Sequence, residues 1–167
     1  MILKFFNKNF YISFLIVALI FFLDRLTKIF IIHLDKNNLN PDIFSSAYLN
    51  IVLIWNRGIA FGLFSFNKAY LYNILSLIIL TIIVILIVMA IKSHGLKRYS
   101  LLIIVGGALG NLYDRIFYKA VPDFIDFHIK DFHWFIFNIA DIFITIGIIC
   151  LITNELFINK KNKDEKI

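Results

Sequence analysis

The chain has 167 residues, of which 60% are hydrophobic and 17% are charged, and its mean hydropathy is +0.85. Soluble domains average about 45–50% apolar and about 25% charged residues, so this composition excludes an ordinary soluble domain. The net charge of +6 does not indicate a nucleic-acid partner, because most Lys and Arg residues flank apolar segments instead of forming one basic surface. Cys150 is the only cysteine, which excludes an internal disulfide and a CxxC metal or redox motif.

Four apolar segments predict four membrane-spanning helices, at about 10–33, 69–91, 99–118 and 132–154. The second segment contains 23 residues without a charge, which is enough to cross a hydrocarbon layer of about 30 Å. Nine basic residues lie on one side of this arrangement and five on the other, so the positive-inside rule places both termini in the cytoplasm. We therefore expect a single polytopic domain over residues 1–157, followed by a basic cytoplasmic tail over residues 158–167.

The external segment between the first two spans, residues 35–68, contains a β-branched and aromatic stretch from Tyr48 to Trp55. Turn residues follow at 56–58, and residues 59–64 are predicted to return as a second strand. The expected fold is therefore a membrane all-α fold with a small β element, an external β-hairpin that forms a cradle between helices 1 and 2. Residues 119–131 are expected to form the other external connection.

Charged and amide side chains from three spans converge at a similar depth near the outer interface. They are Asp24, Lys28, Asn111, Asp114, Arg115 and Asp141, with Asp123 and Asp126 in the outer connection. Each Asp, Lys or Arg costs about 2.5–3.5 kcal/mol at a helix centre, though less near an interface.

One interpretation of these charges is structural, in which Asp24 pairs with Lys28 one turn along the first span, and Asp114 likewise neutralises Arg115. The functional interpretation is stronger for Asp141, which lies about nine residues into its span with no cation on its own helix. Helical spacing predicts that it shares a face with Asn138 and Thr145.

The residue types present favour carboxylate chemistry. No HExxH motif offers a zinc site and no GxSxG motif offers a serine nucleophile. His128 and His133 lie five residues apart in an aromatic segment and are interpreted as interfacial, so no metal and no cofactor are expected. Two aspartates that share a site retain one proton, so one can activate water while the other donates to a carbonyl. Asp123 and Asp141 form the best pair for an aspartyl peptidase. Spacing alone leaves three alternatives open, namely Asp24, Asp114 and Asp126.

Two other classes of protein compete with this interpretation. A small transporter or proton-coupled carrier also carries intramembrane Asp, Asn and Arg, but its charges should cross the whole bilayer and its halves should repeat. The inner half of this bundle has no comparable charges, and the first two spans do not resemble the last two. A non-catalytic assembly factor would use the ion pairs only to hold helices together.

Five sequence blocks resemble, in order, the motifs of the bacterial lipoprotein signal peptidase family (signal peptidase II). The blocks are DRLTK at 24–28, NRGIAF at 56–61, GGALGNLYDR at 106–115, VPDF at 121–124 and FNIAD at 137–141. The family is an aspartyl endopeptidase that removes the signal peptide of a prolipoprotein just before a cysteine that carries diacylglycerol. The resemblance implies lipid-modified prolipoprotein substrates and a multi-pass protein of the bacterial plasma (inner) membrane, with its active site near the outer (periplasmic) face.

Carried over position by position, the resemblance implies that Asp123 and Asp141 are catalytic. The implied supporting or substrate-binding residues are Asp24, Lys28, Asn56, Gly58, Asn111, Asp114, Arg115 and Asn138. It also implies inhibition by globomycin-type cyclic peptides; contact with membrane lipids and a monomeric state are expected. Pro122 departs from the family pattern, in which an aliphatic residue precedes the first catalytic aspartate. Proline fixes φ and removes a donor, so we expect a local change around Asp123 without a change in its identity.

Overall fold

A computed structural model describes residues 8–37, 42–58 and 69–158. The helices are α1 (Lys8–Asn37), α2 (Ala69–Lys92), α3 (Gly95–Phe117) and α4 (Ile139–Thr153), and a π-helical turn, Asn154–Ile158, extends α4. The strands are β1 (Phe44–Ser45), β2 (Leu49–Asn56), β3 (Val121–Ile129) and β4 (Phe132–Phe137). The protein is therefore mostly helical with a small sheet, as predicted.

Three of the described helices are long and apolar enough to cross a membrane: Tyr72–Lys92, Gly95–Phe117 and Ile139–Leu156. The described part of α1 is not among them, and it contains Asp24, Arg25 and Lys28 within 30 residues. Large apolar side chains on α1, α2 and α4 are exposed, which suits helices surrounded by lipid. The helices thus support a membrane-embedded protein, whereas the count of four spans and the cytoplasmic location of the termini stay predictions.

Helix α3 occupies the centre of the helical bundle. Of the residues in its most apolar stretch 67% are buried, against 17% in α2 and in α4, and it packs against all three other helices. Glycines permit this close approach: a Cβ on Gly106 would lie 2.9 Å from the Cβ of Ile20 in α1. A Cβ on Gly107 would lie 2.6 Å from the carbonyl oxygen of Ala140 in α4. The glycines therefore fix how near α1 and α4 come to the polar end of α3.

The sheet is antiparallel, with strand order β1-β2-β3-β4. Strand β2 confirms the stretch predicted as extended at 48–55, but its described neighbours are β1 and β3. The predicted return strand at 59–64 lies outside the described residues. Most of the predicted connection at 119–131 is strand β3, whose pairing with β2 sets Asp123 opposite Ile54.

The predicted start of the fourth span at residue 132 is wrong. Phe132–Phe137 is strand β4, and α4 begins only after Asn138, its N-cap residue. A short apolar run does not distinguish a strand from a buried helix, and pairing with β3 decides the outcome here. Asp141 therefore lies in the first turn of α4 instead of about nine residues into a helix. Of the helical face predicted for Asn138, Asp141 and Thr145, the last two do share a side of α4 and line one cavity, whereas Asn138 precedes the helix as its N-cap residue.

Candidate active site

Two cations and two carboxylates form a buried cluster between α1 and α3. The Nζ of Lys28 lies 2.9 Å from Oδ1 of Asp24 and 2.7 Å from Oδ2 of Asp114. Arg25 donates to both carboxylates, at 2.8 Å to Oδ2 of Asp114 and at 2.8 Å to Oδ2 of Asp24. The guanidinium also lies 4.8 Å from the ring centroid of Tyr113, a cation–π contact. The four charges sum to zero, which reduces the large penalty for burying any one of them.

The structural interpretation of these charges is half correct. The predicted pair of Asp24 and Lys28 is confirmed. The predicted pair of Asp114 and Arg115 is wrong, because Asp114 is bound by Arg25 and Lys28. Adjacent residues on a helix point about 100° apart, so a cation next in sequence to a carboxylate does not generally face it.

Asn111 connects the ion cluster to Asp141. Lys28 has only donors, so the atom of Asn111 that faces its Nζ at 2.9 Å is the side-chain oxygen. The amide nitrogen of Asn111 is therefore free to donate to Oδ1 of Asp141, at 2.8 Å. The buried lysine thus orients an amide whose N–H bonds a carboxylate on a different helix.

Asn138 links the two aspartates directly. Its side-chain nitrogen donates to Oδ1 of Asp123 at 2.6 Å and to Oδ1 of Asn111 at 3.2 Å. Its side-chain oxygen accepts from the backbone N of Asp141 at 3.3 Å, and its own backbone N donates to Oδ2 of Asp141 at 3.2 Å. This capping box begins α4 and also holds Asp141 beside Asp123. Asp24 of α1 also holds the start of α4, because its Oδ1 accepts a hydrogen bond from the backbone N of Ala140 at 3.1 Å.

The segment after β2 reaches the same site. The Nδ2 of Asn56 donates to Oδ2 of Asp123 at 2.9 Å, and its side-chain oxygen accepts from the backbone N of Gly58 at 2.8 Å. Arg115 is buried and donates to the carbonyl oxygens of Gly58, at 3.3 Å, and of Asn111, at 3.1 Å. Within the described residues Arg115 has no carboxylate partner at ion-pair distance, so its charge is available near the aspartates.

The two aspartates differ in their surroundings. Asp123 is 3% exposed, and burial raises its pKa to about 6, with a further increase from the charge of Asp141. The hydrogen bonds from Asn56 and Asn138 oppose that increase. Asp141 is partly exposed and lies at the N-terminus of α4, where the helix dipole favours an anion. Burial therefore favours a proton on Asp123, while the helix terminus offsets part of the cost of a negative charge on Asp141.

An apolar cavity of about 500 Å³ opens beside Asp141, between β4 and α4. Its lining residues are aromatic or branched apart from Asp141 and Thr145, and they include Phe127, Trp134, Phe135, Phe137, Ile142, Ile144, Ile146 and Ile148. Asp141 is thus reached from a surface that would exclude most water and accept hydrocarbon.

The three alternative aspartates occupy other environments. Asp24 and Asp114 are neutralised within the ion cluster. Asp126 is buried and pairs with Nδ1 of His133 at 2.8 Å. Among the described residues, no hydrogen bond joins Asp126 to the network around Asp123.

All ten residues predicted for the site lie in or next to this network. Arg25 was not among them, although it holds Asp114. The two residues are 89 positions apart, so no local spacing could reveal the contact. The signal that was available is the position of Arg25 beside Asp24 in an apolar segment, where an unpaired cation would be costly.

A helical bundle in which one asparagine joins two carboxylates at one end is the arrangement of a membrane aspartic peptidase. A sequence model described as Signal peptidase (SPase) II matches residues 16–157, and the chain belongs to this family. A lipoprotein signal peptidase of Pelagibacter ubique is 51% identical over 159 residues, which cover 95% of this chain and 96% of the relative. The lipoprotein signal peptidase of Anaplasma phagocytophilum is 40% identical and covers 87% of this chain and 92% of its own length.

Solved structures agree with this assignment. A bacterial membrane enzyme determined by the in meso method at 2.3 Å resolution superposes with a TM-score of 0.71 at 32% identity, covering 90% of each chain. A second such enzyme, determined at 1.9 Å, has a TM-score of 0.68 at 31% identity and covers 87% of this chain and 92% of its own. The helical bundle with its sheet is therefore the fold of known membrane enzymes.

Proposed function

We propose that this chain removes the signal peptide from diacylglyceryl-modified prolipoproteins, cutting before the lipidated cysteine, with Asp123 and Asp141 as the catalytic pair. The observation that carries the proposal is the position of Asn138, which bonds Asp123 through its side chain and Asp141 through its backbone N. The substrate class comes from the family and from relatives that are named lipoprotein signal peptidases.

In the proposed mechanism Asp123 is the proton donor, since burial raises its pKa to about 6. Asp141 is ionised and takes a proton from a water molecule, whose oxygen attacks the scissile carbonyl carbon. Asp123 donates its proton to the carbonyl oxygen, so a neutral gem-diol forms and the charge moves from Asp141 to Asp123. No free hydroxide and no separate oxyanion are required.

The second half of the reaction reverses these roles. Asp123, now ionised, takes a proton back from the gem-diol while Asp141 donates its proton to the leaving nitrogen. The C–N bond then breaks, which gives a carboxylic acid on the signal peptide and a free amine on the lipidated cysteine. The pair returns to its starting state with one proton, ready for another water molecule.

The apolar cavity supports a lipidated substrate. It is lined by aromatic and branched residues of β4 and α4, and Asp141 lies on its wall. Acyl chains held there would bring the adjacent cysteine to the aspartates and displace water from the reaction zone. Peptides of the globomycin type would compete for this space.

The hydrogen bonds support the roles that we propose for the surrounding residues. Asn56, Asn111 and Asn138 orient the two carboxylates by donating to them. Arg115 and Gly58 hold the segment after β2 against α3, where we expect the substrate backbone to lie. The positive-inside rule puts this end of the bundle at the outer face, because Lys92, Lys97 and Arg98 lie in the opposite connection.

The test is cleavage of a diacylglyceryl-modified prolipoprotein by the purified full-length chain in detergent micelles. We expect Asp123→Asn and Asp141→Asn each to reduce the cleavage rate about 10²–10⁴-fold, the usual contribution of a general acid–base group. The matched control is Asp131→Asn, an exposed carboxyl in the β3–β4 turn, which should cleave at the wild-type rate. Globomycin should inhibit the wild type.

Two outcomes would contradict the proposal. Full activity in either dyad variant would exclude the assigned pair. Rapid cleavage of a precursor that lacks the diacylglyceryl group would exclude the assigned substrate class while leaving the dyad intact. A loss of folded, monodisperse protein in Asp141→Asn would instead support the interpretation that the charges only hold helices together.

A further inference from the structure

A second polar cluster lies on the β3–β4 hairpin, apart from the dyad and its asparagines. His128 and His133 are opposite each other in the strand register, and their rings stack with centroids 5.0 Å apart and planes 22° apart. Asp126 precedes His128 by two positions on β3, and the strand register shifts between them. One ligand atom from each of the three side chains lies within 4.8 Å of the others.

Two members of this cluster have polar atoms that are removed from water. Asp126 is 4% exposed, and both of its carboxylate oxygens lie within 3.0 Å of Nδ1 of His133. The Nδ1 of His128 is buried and has no hydrogen-bond partner among the described residues. A buried nitrogen without a partner costs about 1–3 kcal/mol, so its position in a folded strand calls for a physical explanation.

We infer that Asp126, His128 and His133 bind a divalent transition-metal ion of the Zn²⁺ class. Two imidazoles and one carboxylate are a ligand set that Zn²⁺ accepts, with a fourth position open to water. Ligand atoms around one Zn²⁺ are about 3.3–3.5 Å apart, from bonds of about 2.0–2.2 Å in tetrahedral geometry. The side chain of His133 is 52% exposed, so it is free to make the small movement that closes the site.

The ion explains features that an Asp–His pair alone leaves unexplained. The pair of Asp126 and His133 leaves the buried Nδ1 of His128 without a hydrogen-bond partner. Ligation of the metal ion would give this nitrogen a partner. A bound ion would also link β3 to β4 where the register shifts, and β4 leads directly into the N-cap of α4.

The experiment measures binding of Zn²⁺ alone to the purified full-length protein, by titration calorimetry and by metal analysis after dialysis. We expect one equivalent of Zn²⁺ per wild-type chain, and binding weaker by about tenfold or more in His128→Ala, His133→Ala and Asp126→Asn. The matched controls are His94→Ala, an exposed histidine in the α2–α3 connection, and Asp131→Asn, which should bind as the wild type does.

A second measurement guards against variants that fail to fold. Zn²⁺ should raise the melting temperature of the wild type and of His94→Ala, because it binds the folded chain. At the same Zn²⁺ concentration it should raise that of His128→Ala much less. Equal Zn²⁺ binding by the wild type and by a folded His128→Ala variant would overturn the inference. So would a wild type that retains no Zn²⁺ after dialysis and shows no change in melting temperature. Neither readout depends on peptidase activity, so the result is independent of the proposed function.

Discussion

Replacing Asp123 by Asn should make the protein more stable at alkaline pH, although under the proposed mechanism the variant would lose peptidase activity. The pKa of Asp123 rises from 3.8 to about 6 in the folded chain, mainly because the carboxyl is buried. The folded chain therefore binds a proton more tightly than the unfolded chain does, and the free energy of unfolding decreases as pH rises between about 4 and 6. Above that window the ionised carboxyl costs the folded state about 3 kcal/mol.

The variant removes this cost but disturbs two hydrogen bonds. Both oxygens of Asp123 accept from amide nitrogens, one from Asn56 and one from Asn138. The new amide has one acceptor oxygen, so one donor loses its partner, at a cost of about 1–2 kcal/mol. The net effect at pH 8 is a gain of about 1–2 kcal/mol. At this chain length the gain corresponds to a melting temperature higher by about 2–8 °C.

The assay is thermal unfolding in detergent between pH 4.5 and pH 8, followed by the fluorescence of Trp55 and Trp134. We expect Asp123→Asn to melt above the wild type at pH 8 and at or below it at pH 4.5, where the wild-type carboxyl is protonated. The exposed Asp131→Asn should follow the wild type throughout. A variant that melts below the wild type at pH 8, or a difference that does not change with pH, would refute the raised pKa and with it the proton-donor role.

Two further substitutions separate packing from charge. Gly107→Ala puts a Cβ 2.6 Å from the carbonyl oxygen of Ala140, which should cost about 1–3 kcal/mol and displace α4. The kcat should therefore fall much more than in Gly106→Ala, whose added Cβ meets α1. Equal kcat values in the two variants would contradict this reasoning. Lys28→Met leaves Arg25 alone with two buried carboxylates and should lower the free energy of unfolding by about 3–5 kcal/mol, measured by thermal unfolding. Lys97→Met removes a lysine whose carboxylate partner is exposed, so the loss should be under about 1 kcal/mol. Similar losses from both lysines would show that the buried cluster is not the stabilising element.

The sequence was sufficient for what depends on composition and on local pattern. Long apolar segments predict helices reliably, because a helix satisfies its own backbone hydrogen bonds within a membrane. Strand β2 was also predicted, because its residues are mostly β-branched, aromatic or aliphatic and because turn residues follow it. The convergence of Asp123 and Asp141 followed from the cost of isolated intramembrane charge together with the family motifs.

The features that sequence did not predict depend on long-range contacts. Strand β4 resembles the start of an apolar helix, and only its pairing with β3 makes it extended. The partner of Asp114 is Arg25 instead of the neighbouring Arg115, because α1 approaches α3 closely at the glycines of α3. His128 and His133 lie five residues apart, and a hairpin turn between them brings their rings into contact.

The costly buried charges and the aspartate pair are connected by a single series of hydrogen bonds. Lys28 can only donate, so it fixes which end of the Asn111 amide points at Asp141. The oxygen of Asn111 in turn accepts from Asn138, whose nitrogen also donates to Asp123. An uncharged core below the site could not impose this direction, because an amide among apolar side chains has no reason to prefer one orientation. The ion cluster therefore does more than hold α1 to α3: it sets the polarity of the donors that meet both carboxylates, which is the preorganisation that acid–base catalysis requires.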